Sequence, residues 1–273
     1  MLEFRMIKRN QTDASLFLAI PISFVTWFAT GFFAVVAVII DVLVLLPISY
    51  FKDKGTRSVI HYGAVMWARG IIACTPIWKS KVDGLERIDR KQQYLIMCNH
   101  QSLLDILIVA ARLPILFRFL AKKELFRIPF MGWHMSLAKY IPVERTSKTS
   151  RHRALMQIDE WLRRGSSILF FPEGTRSVDG EIHDFRPAAF KIARDRGVTI
   201  LPIVVDGPGT ALPKNSLLLR KPTCFYLSVL DPVPMKDVSA DQVNHVMHRV
   251  RESMIERLQE IRILHEAASD DRQ

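Results

Sequence analysis

Hydrophobic positions fall into three regimes along the 273-residue chain. The first is one long run. Ala14 to Ile40 holds no charged residue, and the apolar character resumes beyond Asp41 as far as Tyr50. A helix that crosses a bilayer needs about 20 such residues, whereas the core of a secretory signal uses about 7–15. No convincing cleavage site follows. The run therefore predicts a membrane-anchoring helical segment at the N-terminus, residues 1–55. Pro21, Gly31, Asp41 and Pro47 leave two forms open, a helix that spans or a broken pair that dips in and returns. Basic residues flank both ends (Arg5, Lys8 and Arg9; Lys52, Lys54 and Arg57), so charge asymmetry does not orient the anchor.

The second regime, Val59 to Trp78, is apolar and aromatic, with Arg57, His61, Arg69 and Lys79 spaced along it. It fits a helix lying on a bilayer or a core helix of a folded domain, and Trp67 and Trp78 favour the interface.

Beyond Trp78 short strands alternate with helices. Strand character marks Lys79–Val82, Tyr94–Cys98, Leu116–Ala121, Lys139–Val143, Ser166–Phe171, Val198–Val205 and Thr223–Leu230. Helical spacing marks the residues after Leu103, Ile128–Leu137, Ser150–Arg164 (closed by Gly165) and Pro187–Arg196 (closed by Gly197). A last helix opens with a capping box at Ser239 and Gln242, and Val243, Met247, Val250, Met254, Leu258 and Ile261 line one side of it. This alternation predicts an α/β domain over residues 56–273, a mostly parallel mixed sheet flanked by helices.

Two strand ends carry candidate chemistry. The strand Tyr94–Cys98 breaks at Asn99-His100, with Ser102 or Asn99 as the N-cap of the next helix and Asp105 about one turn inside it. From there a carboxylate can hold one imidazole nitrogen of His100 and leave the other facing a pocket. An oriented, uncharged imidazole is what a general base requires. Taken alone, the pair fits equally a capping His beside an Asp that partners some Arg. The second strand end is Phe170–Ser177, FFPEGTRS. Pro172 stops the strand, Gly174 lets backbone approach an anion, and Arg176 offers a bidentate grip on phosphate, with Glu173 bracing it or holding a hydroxyl and Thr175 between them. A surface turn with an incidental Glu–Arg pair has the same residues. Position argues against it: in a parallel sheet both loops open on one rim, where α/β proteins bind ligands.

Charge then narrows the partners. The net charge is +11, and Arg112–Arg164 alone holds twelve Lys and Arg against four Asp and Glu. Lys122, Lys123, Arg127 and Arg145 alternate with Phe119, Leu125, Phe126, Phe130 and Trp133, a mixture suited to anionic lipid or an acidic acyl carrier rather than nucleic acid. Cys74, Cys98 and Cys224 show no disulfide or metal-ligand spacing. No second His follows His100 at metal-binding spacing, and no G-x-S-x-G elbow is present, so neither a metal nor a serine nucleophile is expected.

These blocks also carry a resemblance. NHQSLLD (99–105), KKELFRIPFMGW (122–133), the Arg145 region, FPEGTRS (171–177) and ILPIVVDG (200–207) occur in this order. Over roughly residues 60–235 the chain resembles the membrane-bound 1-acylglycerol-3-phosphate O-acyltransferases. One block departs: Phe185-Arg186-Pro187-Ala188 stands where the family usually reads Phe-Lys-x-Gly. The resemblance implies transfer of a fatty acyl group from acyl-CoA or acyl carrier protein to the sn-2 hydroxyl of lysophosphatidic acid, making phosphatidic acid without a cofactor. It implies His100 and Asp105 as the catalytic pair, and Asn99, Lys122, Lys123, Arg145, Glu173, Gly174, Thr175 and Arg176 at the substrate. It also implies a membrane location with the catalytic domain facing the cytoplasm. The alternatives are a relative acting on another lysophospholipid or on glycerol 3-phosphate, and a non-catalytic binder of anionic membranes.

Overall fold

The computed structural model describes residues 2–52, 58–75, 77–144, 146–219 and 223–270. Helix α1 (Leu2–Ile40) continues through a wide π turn at Asp41–Leu45 into α2 (Leu46–Lys52), so residues 2–52, the described part of the expected anchor, are one unbroken helical rod with Pro21 inside it. Ala19–Lys52 is long and apolar enough to cross a membrane. It does not stand free, however. α1 packs along α3 (His61–Ala73) and α5 (Met131–Leu137). Trp67 Nε1 donates to the Thr30 carbonyl at 3.1 Å, and the Phe33 ring covers Gly70 so closely that a β-carbon there would lie 2.9 Å from it. The opposite side of the rod leaves Phe24, Phe28, Phe32 and Leu43 exposed.

α3 corrects an expectation. Its small residues Gly63, Ala64 and Ala68 and its Ile71 are buried, so it is a core helix between α1 and α4 (Leu104–Arg112) rather than an interfacial one. Small side chains on one face let two helices approach closely, and apolar composition alone does not distinguish that face from one that meets lipid. Trp78 is not in this helix at all. It opens β1 (Trp78–Asp83) and packs against Phe225, ring centres 5.2 Å apart.

The remaining strands are β2 (Tyr94–Cys98), β3 (Phe117–Lys122), β4 (Ile141–Val143), β5 (Ser167–Phe170), β6 (Thr199–Asp206) and β7 (Thr223–Val229). They form one seven-stranded sheet in the order β1-β7-β6-β2-β5-β3-β4. β6, β2, β5, β3 and β4 are mutually parallel, while β7 runs antiparallel to β6 and carries β1 alongside it. The sheet is therefore mixed and mostly parallel, as the alternation of strands and helices predicts. Its central strand β2 is buried at every position and feeds both faces alternately. Tyr94, Ile96 and Cys98 join the core beneath α3 and α4, and Leu95 and Met97 join the one beneath α6 (Lys148–Arg163), α7 (Ala188–Arg196) and α9 (Val243–Asp270). Residues buried on both faces explain why the strand reads as a continuous apolar run.

Local signals place most boundaries. Ser147 caps α6 by accepting from Ser150 N–H at 3.2 Å, and Gly197, with φ 61°, closes α7. At α9 the Gln242 side chain accepts from Ser239 N–H at 3.1 Å, one half of the expected capping box, while Ser239 Oγ turns to Asp241 instead.

Candidate active site

β2 and β5 are adjacent and parallel, with Met97 opposite Phe170, so the loops that leave them share one rim. Between Cys98 and α4 the chain makes a tight turn whose N–H groups need partners. Of the two expected caps, Ser102 serves α4, its Oγ accepting from Leu104 N–H at 3.3 Å, and Asn99 does not. Asp105, in the first turn of α4, bends back and satisfies two more: its Oδ2 accepts from Gln101 N–H at 2.7 Å and Ser102 N–H at 2.9 Å. The same oxygen lies 2.7 Å from His100 Nδ1. Asp105 is completely buried, and His100 is nearly so. An ionised carboxylate only accepts, so the Nδ1 atom carries the proton and Nε2 keeps its lone pair. The His100 ring stacks on Phe171, centres 4.0 Å apart. Its tautomer and its plane are thereby both set.

The Glu173 loop is stitched to the His100 loop. Glu173 Oε1 accepts from His100 N–H at 2.9 Å, Oε2 accepts from His183 N–H at 3.3 Å, and the His100 carbonyl accepts from Ser177 N–H at 2.7 Å. Burial pushes the Glu173 carboxyl above its usual range, against the two N–H groups that favour its charged form. Glu173 thus faces inward and braces the catalytic turn. Asn99 is likewise committed to scaffold, its amide exchanging two hydrogen bonds with the main chain of Val205 in β6, at 2.9 and 2.8 Å.

Gly174 has φ 75°, a region where a side chain is strained, and a β-carbon there would stand 2.8 Å from Arg186 Nε. Thr175 is exposed and Arg176 half-buried. Among the described residues the Arg176 guanidinium has no hydrogen-bond or ion-pair partner, while its carbonyl accepts from Lys214 Nζ at 3.0 Å. Lys122 and Lys123 stand at the carboxyl end of β3, on the same rim, exposed and 3.7 and 3.9 Å from Glu124 and Glu144. Arg145 lies outside the described residues.

Two other candidates on the molecule do not offer this chemistry. A cavity of about 410 Å³ opens at the opposite rim, lined by His61, Arg90, Lys91, Arg118 and Arg164 among others, with no carboxylate. The Cys98 thiol is pushed well above its usual range by burial and donates to the Asn99 carbonyl at 3.2 Å, so it is no competing nucleophile. No group of three or more His, Cys, Asp and Glu side chains suited to a metal occurs among the described residues.

Comparison with known proteins gives this constellation a lineage. A family model described as Acyltransferase matches residues 79–206, from β1 to the end of β6 and through both loops of the rim. The chloroplastic 1-acyl-sn-glycerol-3-phosphate acyltransferase of Arabidopsis thaliana is 35% identical over 192 residues, 68% of this chain and 53% of that one. The 1-acyl-sn-glycerol-3-phosphate acyltransferase of Saccharomyces cerevisiae is 31% identical, over 66% of this chain and 60% of that one.

Residues 79–206 of the chain belong to the acyltransferase family.

The chain spans about half the length of the two chloroplastic relatives it matches, 53% and 52% of them. In fold, the chain is similar to the crystal structure of the 1-acyl-sn-glycerophosphate acyltransferase PlsC from Thermotoga maritima, with a TM-score of 0.76 and 22% identity, covering 91% of this chain and 98% of that one.

Several contacts of the rim give no local signal in sequence. Gln101 Nε2 reaches Asp206 at 3.1 Å and the Gly180 carbonyl at 3.2 Å, and Ser102 Oγ donates to the Leu212 carbonyl at 2.7 Å. Lys214 arrives on the crossover from β6 to β7, and Arg251 of α9 donates to the carbonyls of Ile182 and His183. Their partners lie up to 110 positions away, so only the folded chain brings them together. Arg186 alone had a cue, as the departure from the family's usual block.

Proposed function

We propose that this protein transfers a fatty acyl group from acyl-CoA or acyl carrier protein to the sn-2 hydroxyl of 1-acylglycerol 3-phosphate, forming phosphatidic acid for phospholipid synthesis. The observation that carries the reading is the geometry of the rim: His100, held by Asp105 at 2.7 Å, is bonded through its carbonyl to Ser177 N–H at 2.7 Å, next to Arg176, whose guanidinium has no partner among the described residues.

A thioester is already activated, so the protein has mainly to make an alcohol nucleophilic. His100 Nε2 takes the hydroxyl proton as the oxygen attacks the thioester carbonyl, and the Asp105 carboxylate stabilises the imidazolium that forms. The tetrahedral adduct collapses with departure of the thiolate, which recovers the proton from His100. The chain forms no acyl intermediate. Arg176 grips the acceptor phosphate beside Gly174 and Thr175, with Lys122, Lys123 and Arg145 adding positive charge on the rim. The apolar face of α1 that carries Phe24, Phe28 and Phe32 meets the membrane, from which the acceptor comes, and the rim lies on the cytoplasmic side.

Acyl transfer to lysophosphatidic acid by the detergent-solubilised protein tests this directly. His100→Ala is expected to lower turnover by about 10²-fold or more while leaving the thermal midpoint nearly unchanged. Near-normal turnover in the variant would remove His100 from the chemistry.

A further inference from the structure

Three cations converge on the Gly174–Arg176 loop, and they approach it from different sides. Arg176 is part of the loop. Lys214 reaches it from the β6–β7 crossover, 3.0 Å from the Arg176 carbonyl and 3.5 Å from Thr175 Oγ1. That crossover is bound to the anchor rod, since Trp27 Nε1 donates to the Leu217 carbonyl at 2.7 Å and Leu219 N–H to Ser23 Oγ at 2.9 Å. Arg186 comes from the other side. It immediately precedes the α7 turn, beneath which lies the core formed with α6 and α9, on the face of the sheet away from α1.

Arg186 is exposed, and its side chain crosses Gly174, with Nε and Cζ 2.8 and 3.0 Å from the position a β-carbon would take. Its N–H donates to the Pro172 carbonyl at 2.9 Å, which fixes the base of the side chain. Among the described residues no carboxylate neutralises it. Glu173 is turned inward to His100 and His183, and Asp184 is 3.5 Å from Arg251. An arginine held against backbone, charged and without a counter-ion at a substrate mouth, is arranged for an incoming anion.

The two substrates of the proposed reaction approach differently. The acceptor is a lipid and enters from the α1 side, where Arg176 and Lys214 meet its phosphate. The carrier half of the donor is water-soluble, and must bring its thioester to His100 while its own phosphates stay in solvent. We infer that Arg186 is the binding residue for the phosphate groups of the acyl donor, specifically the diphosphate and 3′-phosphate of a coenzyme A thioester, on the water-facing side of the rim. This rests on the acyl-transfer reading and specifies its donor. Because Gly174 and Arg186 are in contact and the loop is bonded to His100, a donor held there is aligned with the catalytic imidazole.

Calorimetric titration of the full-length, detergent-solubilised protein with free coenzyme A, and with pantetheine as the probe lacking the nucleotide phosphates, tests the inference. Arg186→Ser leaves the backbone bond to Pro172 possible, so the fold is retained. It is expected to weaken coenzyme A binding about 10-fold, the usual consequence of losing one charge-assisted pair, and to leave pantetheine binding as in the parent. Arg186→Lys should recover part of the loss. In turnover assays the KM for palmitoyl-CoA should rise about 10-fold in Arg186→Ser, and that for lysophosphatidic acid should not. Equal coenzyme A affinities in parent and Arg186→Ser overturn the assignment. So does a parent that binds no coenzyme A, as expected if the donor were an acyl carrier protein, and so does a KM rise confined to the acceptor. Arg186-dependent coenzyme A binding in a protein that fails to acylate lysophosphatidic acid would uphold the donor site and refute the acceptor instead.

Discussion

Asp105 does two jobs with one oxygen. Oδ2 receives the N–H groups of Gln101 and Ser102 and the Nδ1–H of His100, all within 2.9 Å, while Oδ1 has no partner among the described residues. This asymmetry makes Asp105→Asn informative. An amide nitrogen placed at the Oδ2 position would face two backbone donors, so the amide must set its oxygen there and its NH2 where Oδ1 was. The turn and the His100 tautomer then survive, while the negative charge is lost and the buried NH2 finds no acceptor among the described residues. Turnover is expected to fall about 10²-fold with a loss of about 1–3 kcal/mol of stability, the fall in turnover being less than when an Asp-to-Asn change imposes the wrong tautomer. Paired measurements of kcat and of the melting transition check this. Undiminished kcat would show that the charge is not used, and a collapsed midpoint would show that Asp105 serves mainly to hold the turn. Glu173 occupies the same kind of position one loop away. Its two oxygens serve the N–H groups of two segments, so the second acid of the rim is a brace rather than a second proton carrier.

At the scale of elements, the contact between the anchor rod and the domain is polar at its centre. The wide turn at Asp41–Leu45 directs Asp41 into the protein, where Oδ2 lies 2.5 Å from His134 Nδ1 of α5. His61 of α3 pairs with Tyr140 at 2.8 Å beside it, and burial, with His134 and Arg118 nearby, holds that imidazole neutral, its pKa lowered to about 3. Gly63 is what lets α3 approach. A β-carbon at this position would run into Asp41 Oδ1 and stand 3.2 Å from His134 Cε1. Since Oδ2 is tied to His134, the carboxylate cannot swing aside without breaking that pair. Gly63→Ala is therefore expected to cost about 1–3 kcal/mol and to lower the thermal midpoint by roughly 3–10 °C. Gly31→Ala is the control, because nothing lies within 4 Å of its missing β-carbon. Differential scanning fluorimetry in one detergent compares the two, and equal midpoints would mean that the helices separate at no cost.

For the molecule as a whole, what was legible in sequence follows the range of the interactions. The helices and strands of the α/β domain rest on local periodicity and caps, and the His100–Asp105 pair spans only five positions, so both could be read directly. The reversed direction of β7 and β1 could not, because a strand's apolar pattern is the same in either orientation. The burial of α3 was missed for a related reason: Gly63, Ala64 and Ala68 announce a helix partner only once α1 is known to lie there. That missed contact decides how the anchor relates to the rest. If the rod were a tether, residues 56–273 would fold without it. Instead the rod buries Ala19, Ala29, Ala34 and Ala37 on one side while α3 supplies Ala64, Ala68 and Ile71, and it also carries the Asp41 partner of His134. Removing it uncovers a contiguous apolar strip and takes away the hydrogen-bond partner of His134 Nδ1. Loss of a buried hydrogen-bond partner alone costs about 1–3 kcal/mol, a large share of the stability of an average domain. A chain beginning at residue 56 is thus expected to aggregate when expressed without detergent and, if solubilised, to melt well below the full chain. Size-exclusion chromatography and melting curves of the two chains decide the matter. A monodisperse, active fragment with an unchanged midpoint would show that the rod is only a tether and that the catalytic domain owes it nothing.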